Sequence, residues 1–506
     1  MSMILLFVSL LLSHGVIELH ASHHVYNHLQ NAVTFSNSLP SDDQPYRTAY
    51  HFQSLKNWIN VWAPPIWAHS TSTDLVNWTP QPIAIQAQIE ANINGSWSGS
   101  TTILPGNKPA MLFTRLNPKY EQVQVLAFPK DLSDPYLKEW AFVAQNPIMY
   151  PTPENNINAS SFRDPTTAWM LPDGKWRVLV GSKTGTTGTS LLFRSKDFVN
   201  WIQAKHTLYS YNDSGMWECP DFLPVDANGK AIGVETSAIG PKLDDTKHDI
   251  YTIGSYDVKK DAYMPDVGFM NDSSLRYDYG KYYASKMFFD DVTKRRILLG
   301  WANESSSVED DSKKDGLLIQ WPVCEIKALR EKPVKISTKV IRGGSLVEIP
   351  GITATQVDVE MSFAIHHLRN IEKFEASWTD PQLFCSQKGT SVKGGLDPFG
   401  LLTLASKNLE EYTAVFFRVF KANHNKFFVL MCNPTPDKTT YGTFVDVNPI
   451  HEGLPLRVLI DHSVVESFGG KGKNVNTSRV YPTLAKYDNA HLFAFNYGMS
   501  SIKTLP

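Results

Sequence analysis

Along most of the chain, apolar and polar residues alternate in short runs and do not recur every three or four positions. Ala110-Met111-Leu112-Phe113-Thr114, Val123 to Phe128, Arg177 to Val180 and Ser190 to Phe193 are apolar, β-branched or aromatic stretches of strand length. Turn residues such as Pro172-Asp173-Gly174 separate them. Few windows keep a helical period, so the pattern predicts an all-β chain.

A repeat organises these runs. Ser72-Thr73-Asp74-Leu75-Val76-Asn77-Trp78 closely matches Ser195-Lys196-Asp197-Phe198-Val199-Asn200-Trp201, and Ser133-Asp134-Pro135 leading to Glu139-Trp140 is a looser echo between them. Strand sets repeated at this interval predict propeller blades. The second repeat has room upstream for its strands. The first does not: only Gln53 to Pro65 separates Tyr50-His51-Phe52 from Ile66-Trp67-Ala68-His69, and Pro64-Pro65 bars a central strand there. The first blade is expected to lack about two strands. After about Pro350 the apolar runs lengthen, as in Ala414 to Phe420, Lys426 to Met431 and Leu456 to Asp461. This predicts a β-propeller over residues 45–335 and a sandwich of two antiparallel sheets over 350–506.

Residues 1–22 read as a secretory leader. Ile4 to Leu12 is apolar but too short to span a bilayer, and the small residues Ala21-Ser22 follow, although the start lacks Lys or Arg. No later run is long and apolar enough to anchor the chain, so a secreted monomer without a membrane span is expected. Asn77, Asn94, Asn158, Asn212, Asn271, Asn303 and Asn476 all open N-x-[ST] acceptor sites for glycosylation, in keeping with secretion. A net charge of −2 over 506 residues, with no long basic run, argues against nucleic acid as a partner. Aromatic residues make up 12% of the chain, a content that suits β cores and sugar contacts alike. None of the four cysteines is spaced for a zinc site, and no cofactor is expected. Cys385 and Cys432 lie in apolar, strand-like runs and could pair across a sheet. Cys219 is expected to line a site, and Cys324 has no evident partner.

Three carboxylate motifs compete as chemistry. In Met216-Trp217-Glu218-Cys219-Pro220-Asp221-Phe222 the proline cannot continue a central ladder, which puts Glu218 at a strand end or bend. Trp217 could stack on a sugar and desolvate Glu218, raising its carboxyl toward what a general acid needs. The bland alternative is an acid on a solvated loop beside a core tryptophan. In Phe162-Arg163-Asp164-Pro165 the arginine is expected to keep Asp164 ionised. Leu243-Asp244-Asp245-Thr246-Lys247 is a charged turn of a kind that is most often only solvated. Trp97-Ser98-Gly99-Ser100 adds a tryptophan beside small polar residues.

Together these motifs resemble plant acid invertases and their close relatives the fructan exohydrolases, glycoside hydrolase family 32. The resemblance also covers Tyr46 to Gln53, Trp67-Ala68-His69-Ser70, Tyr282-Tyr283-Ala284-Ser285-Lys286 and Asp461-His462-Ser463-Val464-Val465-Glu466-Ser467-Phe468-Gly469-Gly470. Pro220 after Cys219 resembles the cell-wall type, which implies the apoplast. The resemblance implies a five-bladed propeller followed by a β-sandwich, retaining hydrolysis of terminal β-fructofuranosides without a metal, a Cys385–Cys432 disulfide, and a proteinaceous inhibitor as a possible partner. It implies Glu218 as acid/base and Asp164 as stabiliser of the transition state. It implies Trp58, Asn60, Trp62, Trp97, Ser98 and Arg163 around the sugar, and Asp244 with Lys247 favouring sucrose over fructan.

The departures are as informative. In the family, Trp58-Ile59-Asn60 would continue into Asp-Pro-Asn-Gly, whose aspartate is the nucleophile. Here Asn60 runs into Val61-Trp62. Segments before Asp244 and before Ile319-Gln320-Trp321-Pro322 are also short. A retaining glycosidase needs two carboxylates, one to attack and one to protonate. The expectation is a family member with little or no turnover. The other readings are a fructan exohydrolase and a non-catalytic sucrose- or fructan-binding or regulatory protein.

Overall fold

The computed structural model describes residues 45–52, 66–86, 95–224, 249–266, 276–290, 293–302, 319–331, 333–352, 354–365, 371–375, 377–422, 426–434 and 440–505, with the backbone of Ile4–Leu6, Ser9–Leu10 and Lys230–Ala238. Five small antiparallel sheets follow one another and form the blades of a propeller; two larger sheets form a sandwich.

Blade two runs Ser96–Leu104, Lys108–Leu116, Gln122–Pro129, Trp140–Phe142, from the propeller axis outward. Its first hairpin turns on Gly106 and Asn107, both at positive φ, the geometry that matches the twist of a two-stranded ribbon. Blade three is built on Trp176–Thr184 and Thr187–Ser195, with Phe162–Arg163 and Trp169–Met170 inside and Trp201–Gln203 outside. Blade four runs Met216–Pro224, Lys230–Ala238, Asp249–Asp257, Ala262–Pro265. Blade five shows Tyr282–Asp290 and Arg295–Ala302 among the described residues.

The sequence repeat is one turn used three times. Asp74 accepts the backbone N–H groups of Val76 and Asn77 and the Asn77 amide, and Asp197 does the same for Val199 and Asn200. The indoles of Trp78, Trp140 and Trp201 donate to the carbonyls of Leu75, Leu137 and Phe198, three residues at positive φ. In blades two and three this turn leads from the third strand to the outermost. By that register Ile66–Ser72 and Trp78–Ile85 are the third and fourth strands of blade one. These two are the blade-one strands among the described residues; the short stretch before Ile66, on which the expectation of a reduced blade rests, lies outside them. Backbone from the leader-like N-terminus, Ile4–Leu6 and Ser9–Leu10, pairs antiparallel with the inner edge of Ile66–Ser72.

The sandwich stacks Lys339–Ile341, Ile502–Leu505, Gln356–Ala364, Leu454–Asp461, Val464–Gly469 and Asn474–Arg479 on Ser345–Glu348, His491–Asn496, Phe399–Ala405, Thr413–Lys421, Phe427–Pro434 and Thr440–Val445. Alternate residues such as Phe363, Leu401, Phe417, Met431 and Val458 fill the space between the sheets. Cys385 and Cys432 form a disulfide. Cys385, however, is not on a strand. It lies in the helix Pro381–Gln387, capped by Asp380, where proline at the first turn pre-sets helical φ. The bridge ties that helix to the sheet's outer face.

Two sets of contacts help to join the halves. In the first, Asp278 accepts the N–H and hydroxyl of Thr477, and Tyr279 and Lys281 donate to the carbonyls of Val475 and Thr477. Asn476, expected as a glycosylation acceptor, is fully buried in this strand, so the folded chain hides it. Asn77, Asn158 and Asn212 are exposed, whereas Asn94, Asn271 and Asn303 lie outside the described residues. The second set holds residues 45–52. Asp461 accepts the N–H groups of Ala49, Tyr50 and His51, and the His51 ring sits 2.9 Å from both Asp461 and Glu466. Burial alone would lower the His51 pKa, but the two carboxylates raise it to about 10. A raised folded value adds stability that is present below the unfolded value and is lost as pH rises through about 10. The thermal midpoint is expected to fall between pH 7 and pH 10, and His51→Gln to flatten that fall in a pH series of melting curves. Equal slopes in both proteins would contradict it.

Candidate active site

The innermost strands of blades two to five all break at one level of the funnel. Register shifts fall between Ser96 and Gly99, between Glu218 and Asp221, and between Tyr283 and Lys286. In blade three the break follows Arg163. Asp164, Cys219 and Ala284 take positive φ, uncommon for residues with a side chain and frequent at functional sites. Bulges of this kind re-aim side chains. Pro220 sits inside one, where no ladder donor is needed, as the sequence predicts for Glu218's surroundings.

The breaks bring Arg163, Asp164, Glu218, Cys219 and Tyr283 together. An Arg163 Nη2–H donates to Glu218 Oε1 at 2.5 Å, and the Tyr283 hydroxyl donates to Oε2 at 2.5 Å. Both oxygens of Glu218 are thereby fixed, while a quarter of its side chain stays open to the funnel. Asp164 Oδ2 accepts the Cys219 N–H at 3.0 Å and lies 3.8 Å from Arg163 Nε. Cys219 is unbonded to any other cysteine and lies against Asp164, the site-lining place expected of it. Burial raises its thiol well above the ordinary value, with Asp164 and Glu218 adding to the effect.

Blades four and five brace these groups. Lys286 Nζ donates to the Pro220 carbonyl and lies 3.3 Å from Asp221; Asp249 accepts the N–H groups of Ala284 and Ser285. Gly181 lets blades three and four close, because a Cβ there would meet the Trp217 carbonyl at 2.1 Å.

One sequence expectation needs correction. The Trp217 indole does not face the carboxylate. Successive strand residues point to opposite faces, and this ring is buried against Tyr209 with its N–H on Ser214. Burial raises Asp164 to about 6, and the guanidinium, engaged on Glu218, offsets this only in part. A raised carboxyl binds its proton first in the folded state, so this group's contribution to stability grows as pH falls from about 6 toward the ordinary value. Asp164→Asn is expected to flatten the rise in thermal midpoint between pH 7 and pH 5. An unchanged profile would count against the raised value.

Trp97 and Ser98 lie in the blade-two bulge, and the Trp97 carbonyl accepts the Trp67 indole N–H. Trp58, Asn60, Trp62, Asp244 and Lys247 lie outside the described residues. Cys324 is a free thiol 2.9 Å from an Arg295 nitrogen, outside the funnel. Tyr282 to Lys286 stands out in the sequence as a motif, but the residues alone give Tyr283 and Lys286 no role at the site. Nothing in the sequence marks Asp249. Among the described residues no group of His, Cys, Asp and Glu has a metal-holding arrangement.

The model of the glycosyl hydrolases family 32 N-terminal domain matches residues 36–324, and that of the C-terminal domain matches residues 325–505. A cell-wall β-fructofuranosidase isozyme of Pisum sativum is 53% identical over 94% of this chain and 96% of its own length. A fructan 6-exohydrolase of Beta vulgaris is 52% identical over 98% and 92%. Both alignments run over more positions than the chain's 506 residues, so these relatives carry segments with no counterpart here. Fructan 1-exohydrolase IIa of Cichorium intybus, solved in complex with 1-kestose, superimposes with a TM-score of 0.83 at 39% identity, covering 91% of this chain and 97% of that one.

Proposed function

Because the chain belongs to family 32 of the glycosyl hydrolases, we propose that its funnel holds the terminal β-fructofuranosyl unit of sucrose, with turnover reduced by the lost nucleophile. The arrangement of Glu218 under Arg163 and Tyr283, beside Asp164, carries this reading. Glu218 is the acid/base: its carboxyl is held by both oxygens at the edge of the funnel, where a leaving-group oxygen would sit. Asp164 accepts fructose hydroxyls and, when ionised, balances the positive charge of an oxocarbenium-like transition state. Arg163 keeps the two acids from facing each other unscreened. Trp58, Asn60, Trp62, Trp97 and Ser98 line the pocket, and Asp244 with Lys247 favour sucrose over fructan. The leader-like start, the exposed acceptor sites Asn77, Asn158 and Asn212, and the cell-wall relative support an extracellular, glycosylated protein.

Calorimetric titration of the purified chain with fructose and with sucrose tests the reading. Saturable binding of both is expected. Glu218→Gln should leave that binding within about threefold, because the amide keeps the shape and loses only the proton transfer. Absence of any heat of binding at millimolar sugar would overturn it.

A further inference from the structure

Asp164 and Arg163 stand on a backbone that blade three does not hold by itself. Their strand is short, Phe162–Arg163, and the next residue is at positive φ. What grips it comes from blade two. The Thr114 hydroxyl donates to Gln124 Oε1 at 2.8 Å and accepts the Asp164 N–H at 2.8 Å. The Gln124 amide nitrogen donates to the Phe162 carbonyl at 2.7 Å. Gln122 Oε1 accepts the Phe162 N–H at 2.7 Å and an Arg163 Nη1–H at 3.4 Å, while its nitrogen donates to the Ser160 carbonyl at 2.9 Å. These partners fix the direction of both amides and of the hydroxyl. A flipped amide would set like groups against each other.

All three side chains are buried: Thr114 and Gln124 are fully enclosed, and Gln122 is 6% exposed. Buried polar groups without partners are costly, so such a network stays closed only when every member is satisfied. Each of these side-chain bonds ends within the triad or on residues 160–164. Ser100 and Thr102 carry the same inter-blade seam on to the Pro165 carbonyl and the Ala168 N–H, but the triad's own bonds converge on the dipeptide that faces the funnel.

We propose that Thr114, Gln122 and Gln124 are positioning residues for the fructoside site, a blade-two clamp that sets where the Arg163 guanidinium and the Asp164 carboxylate meet the sugar. The proposal rests on the reading that this pair meets fructose. Without the clamp the Asp164 N–H loses its acceptor, the left-handed turn relaxes, and the carboxylate leaves the Cys219 N–H.

Thr114→Val removes the hydroxyl at constant shape, and Thr114→Ser keeps it. In the full chain, Thr114→Val is expected to weaken fructose binding about tenfold in calorimetry. It should also move the Asp164 titration, followed by carboxyl carbon NMR, down toward the ordinary carboxylate range as the group gains water. Thr114→Ser should restore both. A purely structural threonine would lower the melting temperature and leave the Asp164 titration in place. Should Thr114→Val fail to fold, Gln122→Met, which removes the acceptor for Phe162 and Arg163, is expected to give the same pair of changes. Wild-type affinity together with a wild-type Asp164 titration in the folded variant would overturn the clamp. If the wild type binds no fructose, the reading of the site falls, and the Asp164 titration alone still decides the clamp: a shift in Thr114→Val supports it and no shift refutes it.

Discussion

The purified chain is expected to release glucose from sucrose about 10⁴-fold or more slowly than the same chain with an Asp-Pro-Asn-Gly segment and its following strands restored after Asn60. The size follows from how a retaining glycosidase divides its labour. One carboxylate forms the glycosyl ester while the other protonates the leaving oxygen, and the two act as a unit. Glu218 and Asp164 are in place, but Asn60 runs into Val61 and an amide cannot form that ester. The turn that repeats at Asp74 and Asp197 places Ile66–Ser72 and Trp78–Ile85 as the outer pair of blade one. Restoring a single aspartate at position 60 is expected to recover little, because the residues that follow the aspartate in the family are also absent from the sequence. Initial rates of glucose release from wild type, Asn60→Asp and the restored chain distinguish these cases. A wild-type rate within tenfold of the restored chain would refute the expectation.

The largest loss of stability is expected in the sandwich, at Arg418. Its guanidinium is fully buried. It donates to Asp397 Oδ1 and the Lys388 carbonyl, both at 2.6 Å, to the Gly389 carbonyl at 2.9 Å, and to the Val392 carbonyl. Asp397 in turn accepts the Val419 N–H. Arg418→Met keeps much of the volume but takes the cation from a buried carboxylate, which keeps only the Val419 N–H of the bonds named, and removes a donor from each of three carbonyls. Breaking one side of such a pair costs about 3–5 kcal/mol. The variant should unfold at distinctly lower urea concentration than wild type, with the loop at 388–392 the first part to open to protease. Adding Asp397→Leu should recover only part of the loss, since the carbonyls still lack the donors that Arg418 supplied. A loss below about 1 kcal/mol would show that water reaches them.

Much of the architecture is readable in the residues. Short alternating runs fix strand content, and the Asp–Asn–Trp turn recurs because each copy solves the same local problem, closing the third strand onto the fourth. The spacing of that turn from the motifs ahead of it is what leads to the expectation of a short blade one. The cysteine pairing is legible as a pair, but not the helix that carries Cys385, since the short apolar stretch Leu383-Phe384-Cys385 fits either element. The site is legible as motifs: Arg163-Asp164 and Glu218 each stand beside a proline that marks a broken strand. What those residues do to one another is not. Trp217 and Glu218 are adjacent in sequence and on opposite faces in space. Arg163 is adjacent to Asp164 and yet makes its close bond to Glu218 from the next blade. Strand alternation and blade closure decide both, and both depend on residues more than fifty positions apart meeting at the funnel. The sequence by itself determined which chemical groups are present. The tertiary structure decided which carboxylate each cation serves, how far burial raises Asp164, and that two buried glutamines and a threonine hold the site in place.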